Sequence, residues 1–111
     1  MVAVQQEQKL KGTIRILNGK YKDALLFMQD RNPLQIGRDL DQCNFILEAP
    51  WVSRLHCVIQ FDFKAGCYHI QDVSENGTWL DGSRMKKREW EDVASSAILW
   101  IGEDGTQMQL L

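Results

Sequence analysis

The chain has 111 residues, which is the usual length of one domain with a single modest core. Hydrophobic residues make up 44% of the chain, so the composition predicts a packed globule rather than a disordered segment. The formal net charge is −2 and the isoelectric point is about 5.6. Proteins that bind duplex nucleic acid or membrane surfaces normally carry a basic excess, so we expect neither partner. An anionic partner would have to be bound at a local site.

The cysteine content argues against disulfides and metal binding. The three cysteines are an odd number, and Cys57 and Cys67 fall in predicted strands, where a disulfide framework is not expected. No two of the cysteines Cys43, Cys57 and Cys67 have the C-x-x-C spacing of a zinc site. We therefore expect no metal, and we expect no other cofactor.

The ends of the chain and its hydropathy bear on its location. Residues 1–12 are rich in Gln, Glu and Lys, lack the apolar segment of a secretory signal and are predicted to be a flexible lead-in. No run of 18 apolar residues could span a membrane. We therefore expect a cytoplasmic, monomeric domain over residues 13–111. Since the last residues still alternate like a strand, we also expect it to be part of a larger protein.

The first half of the domain predicts short strands. Residues 13–17 alternate, Asn18-Gly19 is a strong hairpin signal, and residues 21–28 are predicted to form the partner strand. A turn at 30–33 contains Pro and Asn, which both favour turns. Two further short apolar segments are predicted strands: 34–37 and 45–47.

The second half contains the clearest alternation. From His56 onward every second residue is apolar, which predicts that one face of the strand is buried and includes Phe63. Residues 67–72 alternate in the same way after a turn at Ala65-Gly66, and Trp79-Leu80 is a very short strand. A closing hairpin is predicted from two segments: 98–101 and 107–111.

No window of 11 residues keeps a convincing helical period. The nearest candidate, 86–97, lacks an apolar stripe. The basic run 84–88 is followed by Glu89, Glu91 and Asp92, so we interpret it as a solvated loop rather than a nucleic-acid patch. Many short strands separated by frequent turn signals indicate an all-β sandwich or barrel.

Three polar clusters stand at predicted strand ends. They are Gly37-Arg38, the segment 52–56 and the segment 74–78. Loops gather at the ends of a sandwich, and binding residues accumulate there. If the clusters share one end, they supply two guanidinium groups, a hydroxyl and a carboxamide. This set suits a phosphorylated side chain on an extended peptide, because Arg offers a planar fork of donors to a phosphate and Asn can pair with a peptide backbone.

The order of these motifs resembles the forkhead-associated (FHA) domain family. The sequence carries Gly-Arg at 37–38, Ser-Arg-x-His at 53–56 and Asp-x-Ser-x-Asn-Gly-Thr-x-x-x-Gly at 72–82. Each motif alone is weak, but three in this order on an all-β pattern are specific. The resemblance implies a β-sandwich of the SMAD/FHA type with about eleven short strands and binding loops at one end. It also implies recognition of a phosphothreonine peptide or protein, the product of a Ser/Thr kinase, in signalling.

The resemblance also assigns roles to residues. Arg38 would hold the phosphate, Ser53 would donate its hydroxyl to it, Arg54 would lie beside it, and Asn76 would hold the peptide backbone. Four further matching positions would mainly shape the loops: Gly37, His56, Gly77 and Thr78.

Two residues near these motifs leave alternatives open. Trp51 could pack into the core, or it could form an apolar shelf for a peripheral contact with the peptide. Glu75 is the other possible peripheral contact with the peptide. It stands where the family often has Thr or Ser, and an acidic side chain beside a dianion is unfavourable unless it points away. Two other departures look structural: Asp81 replaces a common Asn, and residues 94–97 replace a Gly-Asp turn.

Two other functions remain to be compared. Ser53, His56 and Asp72 suggest a catalytic triad, but the sequence has no nucleophile elbow, P-loop or dinucleotide fingerprint, so we do not expect an enzyme. The alternative to phosphopeptide binding is a phosphate-independent interaction or scaffold domain with a degenerate FHA pocket, which Glu75 motivates.

Overall fold

The computed structural model describes residues 11–30, 32–103 and 105–111. Within these ranges the chain forms eleven β-strands and no helix, as the turn-rich alternating pattern predicts. The first six strands are β1 (Thr13–Ile16), β2 (Leu25–Phe27), β3 (Leu34–Gly37), β4 (Phe45–Ile46), β5 (Cys57–Asp62) and β6 (Cys67–Asp72). The other five are β7 (Thr78–Leu80), β8 (Ser83–Arg84), β9 (Trp90–Val93), β10 (Ile98–Ile101) and β11 (Thr106–Leu110). No helix of the described residues is long and apolar enough to cross a membrane.

The strands form two sheets that pack as a sandwich. One sheet has the order β2-β1-β11-β10-β7-β8, and the other has the order β4-β3-β5-β6-β9. Neighbouring strands are antiparallel except β3 and β4, which are parallel. The predicted all-β sandwich with about eleven strands is confirmed. The lead-in predicted for residues 1–12 lies outside the described residues except at Lys11 and Gly12.

The core lies between the sheets and follows the period-2 pattern. Inward side chains of β5 and β6 are buried and alternate with partly exposed ones. The two strands pair over their whole length, from Cys57 opposite Asp72 to Asp62 opposite Cys67. Phe63 is an exception to the prediction, because it lies one residue beyond the end of β5 and is 46% exposed. All three cysteines are free thiols.

The first hairpin differs from its sequence signal. Strands β1 and β2 do pair, but Asn18-Gly19 is not a two-residue turn, because β1 ends at Ile16 and β2 begins only at Leu25. The Asn18 carboxamide instead accepts a hydrogen bond from Gln107 N (2.8 Å) and donates one to Gly105 O (3.2 Å). The side chain that predicted a tight turn therefore ties this connection to the turn between β10 and β11.

Four loops meet at one end of the sandwich. They connect β3 to β4, β4 to β5, β6 to β7, and β10 to β11. Backbone hydrogen bonds join them: Arg38 N donates to Ser53 O (3.0 Å), and Gly102 N donates to Gly77 O (3.1 Å). The three polar clusters of the sequence lie in or beside these loops, which brings residues far apart in the chain to one end.

Candidate functional site

Arg38 follows the last residue of β3 and is held by the loop that precedes β5. Its backbone N donates to Ser53 O, and the N of the next residue, Asp39, donates to Arg54 O (3.1 Å). The guanidinium Nε donates to Val52 O. The two Nη groups have no hydrogen-bond partner among the described residues, and the side chain as a whole is exposed. Arg38 therefore presents an oriented fork of donors to solvent.

Gly37 permits this close approach of the two loops. A Cβ atom at this position would lie 2.2 Å from Arg54 O and 2.8 Å from Cys43 Sγ. The Cys43 thiol also lies 3.0 Å from Arg54 O and donates to it. Any side chain at Gly37 would push the Ser53-Arg54 backbone away from β3, so the glycine is required by packing.

Ser53 joins two of the loops through its hydroxyl. Its Oγ accepts a hydrogen bond from Glu75 N at 2.9 Å. A hydroxyl has one proton to donate as well as lone pairs to accept, so the Ser53 proton remains available to a ligand. The side chain is partly buried, which limits the directions in which that proton can point.

His56 is buried and connects the same loops from beneath. Ser53 N donates to Nδ1 (3.1 Å), so Nε2 carries the proton and donates to Gly77 O (2.8 Å). Desolvation lowers the pKa of His56, although the bond to Gly77 O and the nearby charge of Asp72 act in the opposite direction. The imidazole is therefore neutral at pH 7, in the tautomer that both backbone partners require.

A buried carboxylate organises the β6–β7 loop. Asp72 Oδ1 accepts hydrogen bonds from Ser74 N (3.0 Å), Ser74 Oγ (2.6 Å) and Thr78 Oγ1 (2.9 Å). Ser74 Oγ in turn accepts from Gly77 N at 2.8 Å. Both ends of the segment 74–78 are thus bonded to Asp72, which fixes the position of Asn76 between them.

Asn76 is exposed, and its carboxamide is oriented by the loop before β5. Its Nδ2 donates to Trp51 O at 3.0 Å. Among the described residues the Oδ1 atom and the second Nδ2 proton have no partner, so they can pair with an amide and a carbonyl of a peptide. Trp51 itself lies outside the core: its side chain is 45% exposed, and its ring lies against Gly102 in the β10–β11 turn. Of the two alternatives for Trp51, core packing is wrong.

The loops enclose an open cleft of about 510 Å³. Its lining includes the four residues expected to contact a phosphopeptide: Arg38, Ser53, Arg54 and Asn76. Glu75 also lines the cleft. It also includes residues that the sequence did not single out for this role: Gln42, Pro50, Val52, Leu55 and Val73. The rim is therefore cationic and polar, with apolar side chains beside it.

Among the described residues, neither arginine of the cleft forms a close ion pair, although the charge of Arg54, after the hydrogen bond from Gln42, helps to lower the pKa of Asp39. Across residues 11–30, 32–103 and 105–111, the only contacts within 4.0 Å between a nitrogen of a basic side chain and a carboxylate oxygen are those of His69 with Asp62 and Asp92. Neither Arg38 nor Arg54 therefore has a carboxylate partner at that distance in the described chain. Two unpaired guanidinium groups at one cleft favour an anionic ligand.

The geometry does not form a catalytic triad. Ser53 Oγ is bonded to Glu75 N, whereas it is the backbone N of Ser53 that reaches His56. The other imidazole nitrogen bonds to Gly77 O and not to Asp72. Nor do the described residues contain a group of three or more His, Cys, Asp or Glu side chains that could hold a metal ion.

Sequence reasoning missed the internal supports of the site. The Val52 carbonyl, the Cys43 thiol and the Asp72 carboxylate each position a loop, as their hydrogen bonds show. Only Asp72 left a signal in the sequence, since it alternates with the buried Tyr68 and Ile70 and must face inward.

The comparison with known proteins agrees with the fold. The family model described as FHA domain matches residues 34–102. The sarcolemmal membrane-associated proteins of Oryctolagus cuniculus and Homo sapiens are each 31% identical over 85 residues, and each match covers 68% of this chain. The matched segment covers 11% and 10% of those two proteins, so the chain corresponds to about a tenth of their length.

Solved structures show the same architecture at low identity. The MEK1 FHA domain superposes with a TM-score of 0.75 at 18% identity, covering 97% of this chain and 95% of that one. The N-terminal FHA domain of Saccharomyces cerevisiae RAD53P, solved with a phosphothreonine peptide, has a TM-score of 0.72 at 17% identity and covers 89% and 92%. The family match spans more than half of this chain and includes all three motif loops. The chain belongs to the FHA domain family.

Proposed function

We propose that this domain binds phosphothreonine-containing peptides and so mediates phosphorylation-dependent contacts between proteins. The observation that carries the proposal is the pairing of Arg38 with the 52–54 backbone. This pairing sets an unneutralised guanidinium and the Ser53 hydroxyl beside one cleft. A phosphomonoester has about −1.5 to −2 charges and three strong acceptor oxygens, which these donors complement.

The expected contacts suffice for a transient complex. The Arg38 Nη groups and the Ser53 hydroxyl supply three charge-assisted hydrogen bonds, each contributing about 1.5–3 kcal/mol. Association costs several kcal/mol, so the net free energy of binding is consistent with a micromolar complex, which corresponds to about −8 kcal/mol. Arg54 lies on the same rim and adds charge, since it is exposed and lines the cleft.

Asn76 supplies the contact to the peptide backbone. An extended peptide presents alternating carbonyl and amide groups, and the free carboxamide atoms of Asn76 can pair with both. Its bond to Trp51 O fixes the amide plane before the ligand arrives, which lowers the cost of ordering. The exposed indole of Trp51 lies against Gly102 in the β10–β11 turn, from where it provides a peripheral apolar contact.

The named complexes of structural neighbours support this assignment. Two FHA domains have been solved with phosphothreonine peptides: that of MEK1 with a HOP1 peptide and the N-terminal domain of RAD53P. For this domain we propose no enzymatic role, and we propose that it acts as a monomer on the product of a Ser/Thr kinase. We also propose a cytoplasmic location, for which the three free thiols are suited.

Glu75 is the feature that favours the alternative, a phosphate-independent scaffold domain. Its side chain is exposed and lines the cleft, where a negative charge opposes a phosphate dianion. Its backbone, however, donates to Ser53 Oγ and so contributes to the same cleft. The intact loop geometry favours a functional pocket in which Glu75 lowers affinity without abolishing binding.

A peptide-library screen tests the assignment. The 111-residue chain and its Arg38→Ala variant would each be incubated with matched libraries centred on phosphothreonine, phosphoserine and threonine. We expect enrichment from the phosphothreonine library with the unmodified chain and none with the folded variant. Equal enrichment from the threonine library, or enrichment that survives Arg38→Ala, would support the scaffold alternative instead.

A further inference from the structure

A third arginine lies immediately beside the binding loops but outside the cleft formed with Arg38 and Arg54. Arg84 is the last residue of β8 and stands opposite Trp79 of β7. Its guanidinium carbon is 5.4 Å from the centre of the Trp79 ring, a distance at which the cation and the ring attract. The side chain is therefore held against the hairpin, although it is exposed to solvent.

The stacked guanidinium lies next to Gly77, the neighbour of Asn76. A Cβ atom at Gly77 would be 2.8 Å from Arg84 Nε and 2.8 Å from Trp79 Cζ3. Gly77 also has a φ of 102°, a region that side chains rarely adopt. The absent side chain leaves the space in which Arg84 and Trp79 pack against the β6–β7 loop. Arg84 thus lies one residue from a group expected to hold the peptide backbone.

Arg84 has no carboxylate within 4.0 Å among the described residues. The carboxylate of Asp81, in the β7–β8 turn, accepts a hydrogen bond from Ile98 N instead. Two backbone bonds hold the rest of the basic run beside the same loop: Met85 N donates to Thr78 O (2.9 Å), and Arg88 N donates to Asp72 O (2.7 Å). The intervening lysines, Lys86 and Lys87, are exposed. The run 84–88 therefore brings four cations to this side of the site, while Glu75 in the β6–β7 loop and Glu89 directly after the run carry the opposite charge.

We propose that Arg84 is a specificity-determining residue that binds an anionic group flanking the phosphothreonine, either an acidic side chain or a second phosphate. The inference rests on the proposed function, because it places the peptide backbone at Asn76. One residue of extended chain spans about 3.3 Å, so a neighbouring peptide side chain can reach the guanidinium from that position. Carboxylates and phosphates both match the arginine fork. The simpler alternative is that Arg84 only covers Trp79.

The test compares peptides that differ only in their flanks. A phosphothreonine peptide with neutral flanks would be titrated alongside versions with glutamates before the phosphothreonine, glutamates after it, or one phosphoserine on the better side. Each peptide would be titrated against the unmodified chain, Arg84→Gln, Arg84→Lys and the control Arg15→Gln. Arg15 is an exposed arginine of β1, four strands from β8 in the same sheet and thus about 19 Å away.

We expect glutamates on one side to increase the affinity of the unmodified chain about fivefold at low salt, and a second phosphate to increase it more. Arg84→Gln should abolish most of that gain while leaving the neutral peptide unaffected. Arg84→Lys should keep part of it, and Arg15→Gln should keep all of it. Thermal melts would confirm that each variant is folded.

Three results would overturn the inference. The first is an equal affinity for neutral and acidic flanks, and the second is an acidic gain that survives Arg84→Gln. The third is an equal loss for all peptides in Arg84→Gln, which would show that Arg84 only maintains the loop. If the neutral phosphothreonine peptide binds and the acidic gain is absent, this inference fails alone. If no phosphothreonine peptide binds the unmodified chain, the proposed function fails with it.

Discussion

Replacing His56 by leucine should weaken both the stability of the domain and the geometry of its site. Leucine is close to histidine in size but cannot accept from Ser53 N or donate to Gly77 O. Each hydrogen bond contributes about 0.5–1.5 kcal/mol, and a buried group left without a partner costs about 1–3 kcal/mol. Because the imidazole is buried, water cannot replace either bond, and we expect a loss of about 2–4 kcal/mol in the free energy of unfolding.

The pH dependence of the free energy of unfolding provides a second, independent test of the role of His56. Burial lowers the pKa of His56 below its ordinary value of 6.5 in the folded protein. As the pH falls below about 6.5, the unfolded chain takes up a proton that the folded protein excludes, so the free energy of unfolding decreases. The decrease continues until the pH reaches the folded-state pKa. His56→Leu has no group that titrates in this way, so its stability should change less between pH 7.5 and pH 5.5.

Urea denaturation followed by tryptophan fluorescence measures both quantities. The chain has two histidines, so a background of His69→Gln would remove the other imidazole, which lies at the surface next to Asp92. The reasoning would be refuted by a His56→Leu variant within about 0.5 kcal/mol of its parent, a difference typical of neutral surface changes. It would equally be refuted if the pH dependence of the two proteins were the same.

Substitutions at three further positions test separate features of the site. Gly37→Ala should lower stability by about 2–3 kcal/mol and reduce phosphopeptide affinity, because its Cβ meets Arg54 O at 2.2 Å; unchanged binding by calorimetry would contradict this account of the loop. Asp72→Ala should cost about 4 kcal/mol, since three donors lose their acceptor. Asp72→Asn, which keeps an oxygen there, should cost less than half as much in urea denaturation, and equal losses would count against the network. Glu75→Gln should raise affinity for a phosphothreonine peptide about twofold to fivefold at low ionic strength and less in high salt; a lower affinity would show that the carboxylate assists binding.

The sequence predicts the sandwich because its alternating segments are long enough to define a buried face. Strands β5 and β6 have six residues each, and their period-2 pattern corresponds to alternating buried and partly exposed side chains. Asn18-Gly19 misled the prediction for a physical reason. Its carboxamide bonds to residues 87 and 89 positions away, and no local pattern reports such a partner.

In the candidate site, too, the sequence identified some residues and could not identify others. The motif residues Arg38, Ser53 and Asn76 could be identified from their order in the chain, and the structure places them around one cleft. The partners that orient them are mostly backbone atoms, such as Val52 O and Trp51 O, whose positions depend on how the sheets bring the loops together. For the same reason Arg84 looked like part of a solvated run. Its proximity to Gly77 depends on the pairing of β7 with β8, which the sequence did not predict.

The most direct test of phosphate recognition is a calorimetric titration of one peptide in two forms, with threonine and with phosphothreonine. For the unmodified chain, we predict micromolar binding of the phosphorylated form and no measurable binding of the plain form. In a folded Arg38→Ala variant, the phosphorylated peptide should lose at least about tenfold in affinity, which corresponds to one charge-assisted hydrogen bond of about 1.4 kcal/mol or more. Equal affinity for the two peptides, or unmodified affinity in the variant, would contradict the assignment of this cleft as a phosphothreonine site.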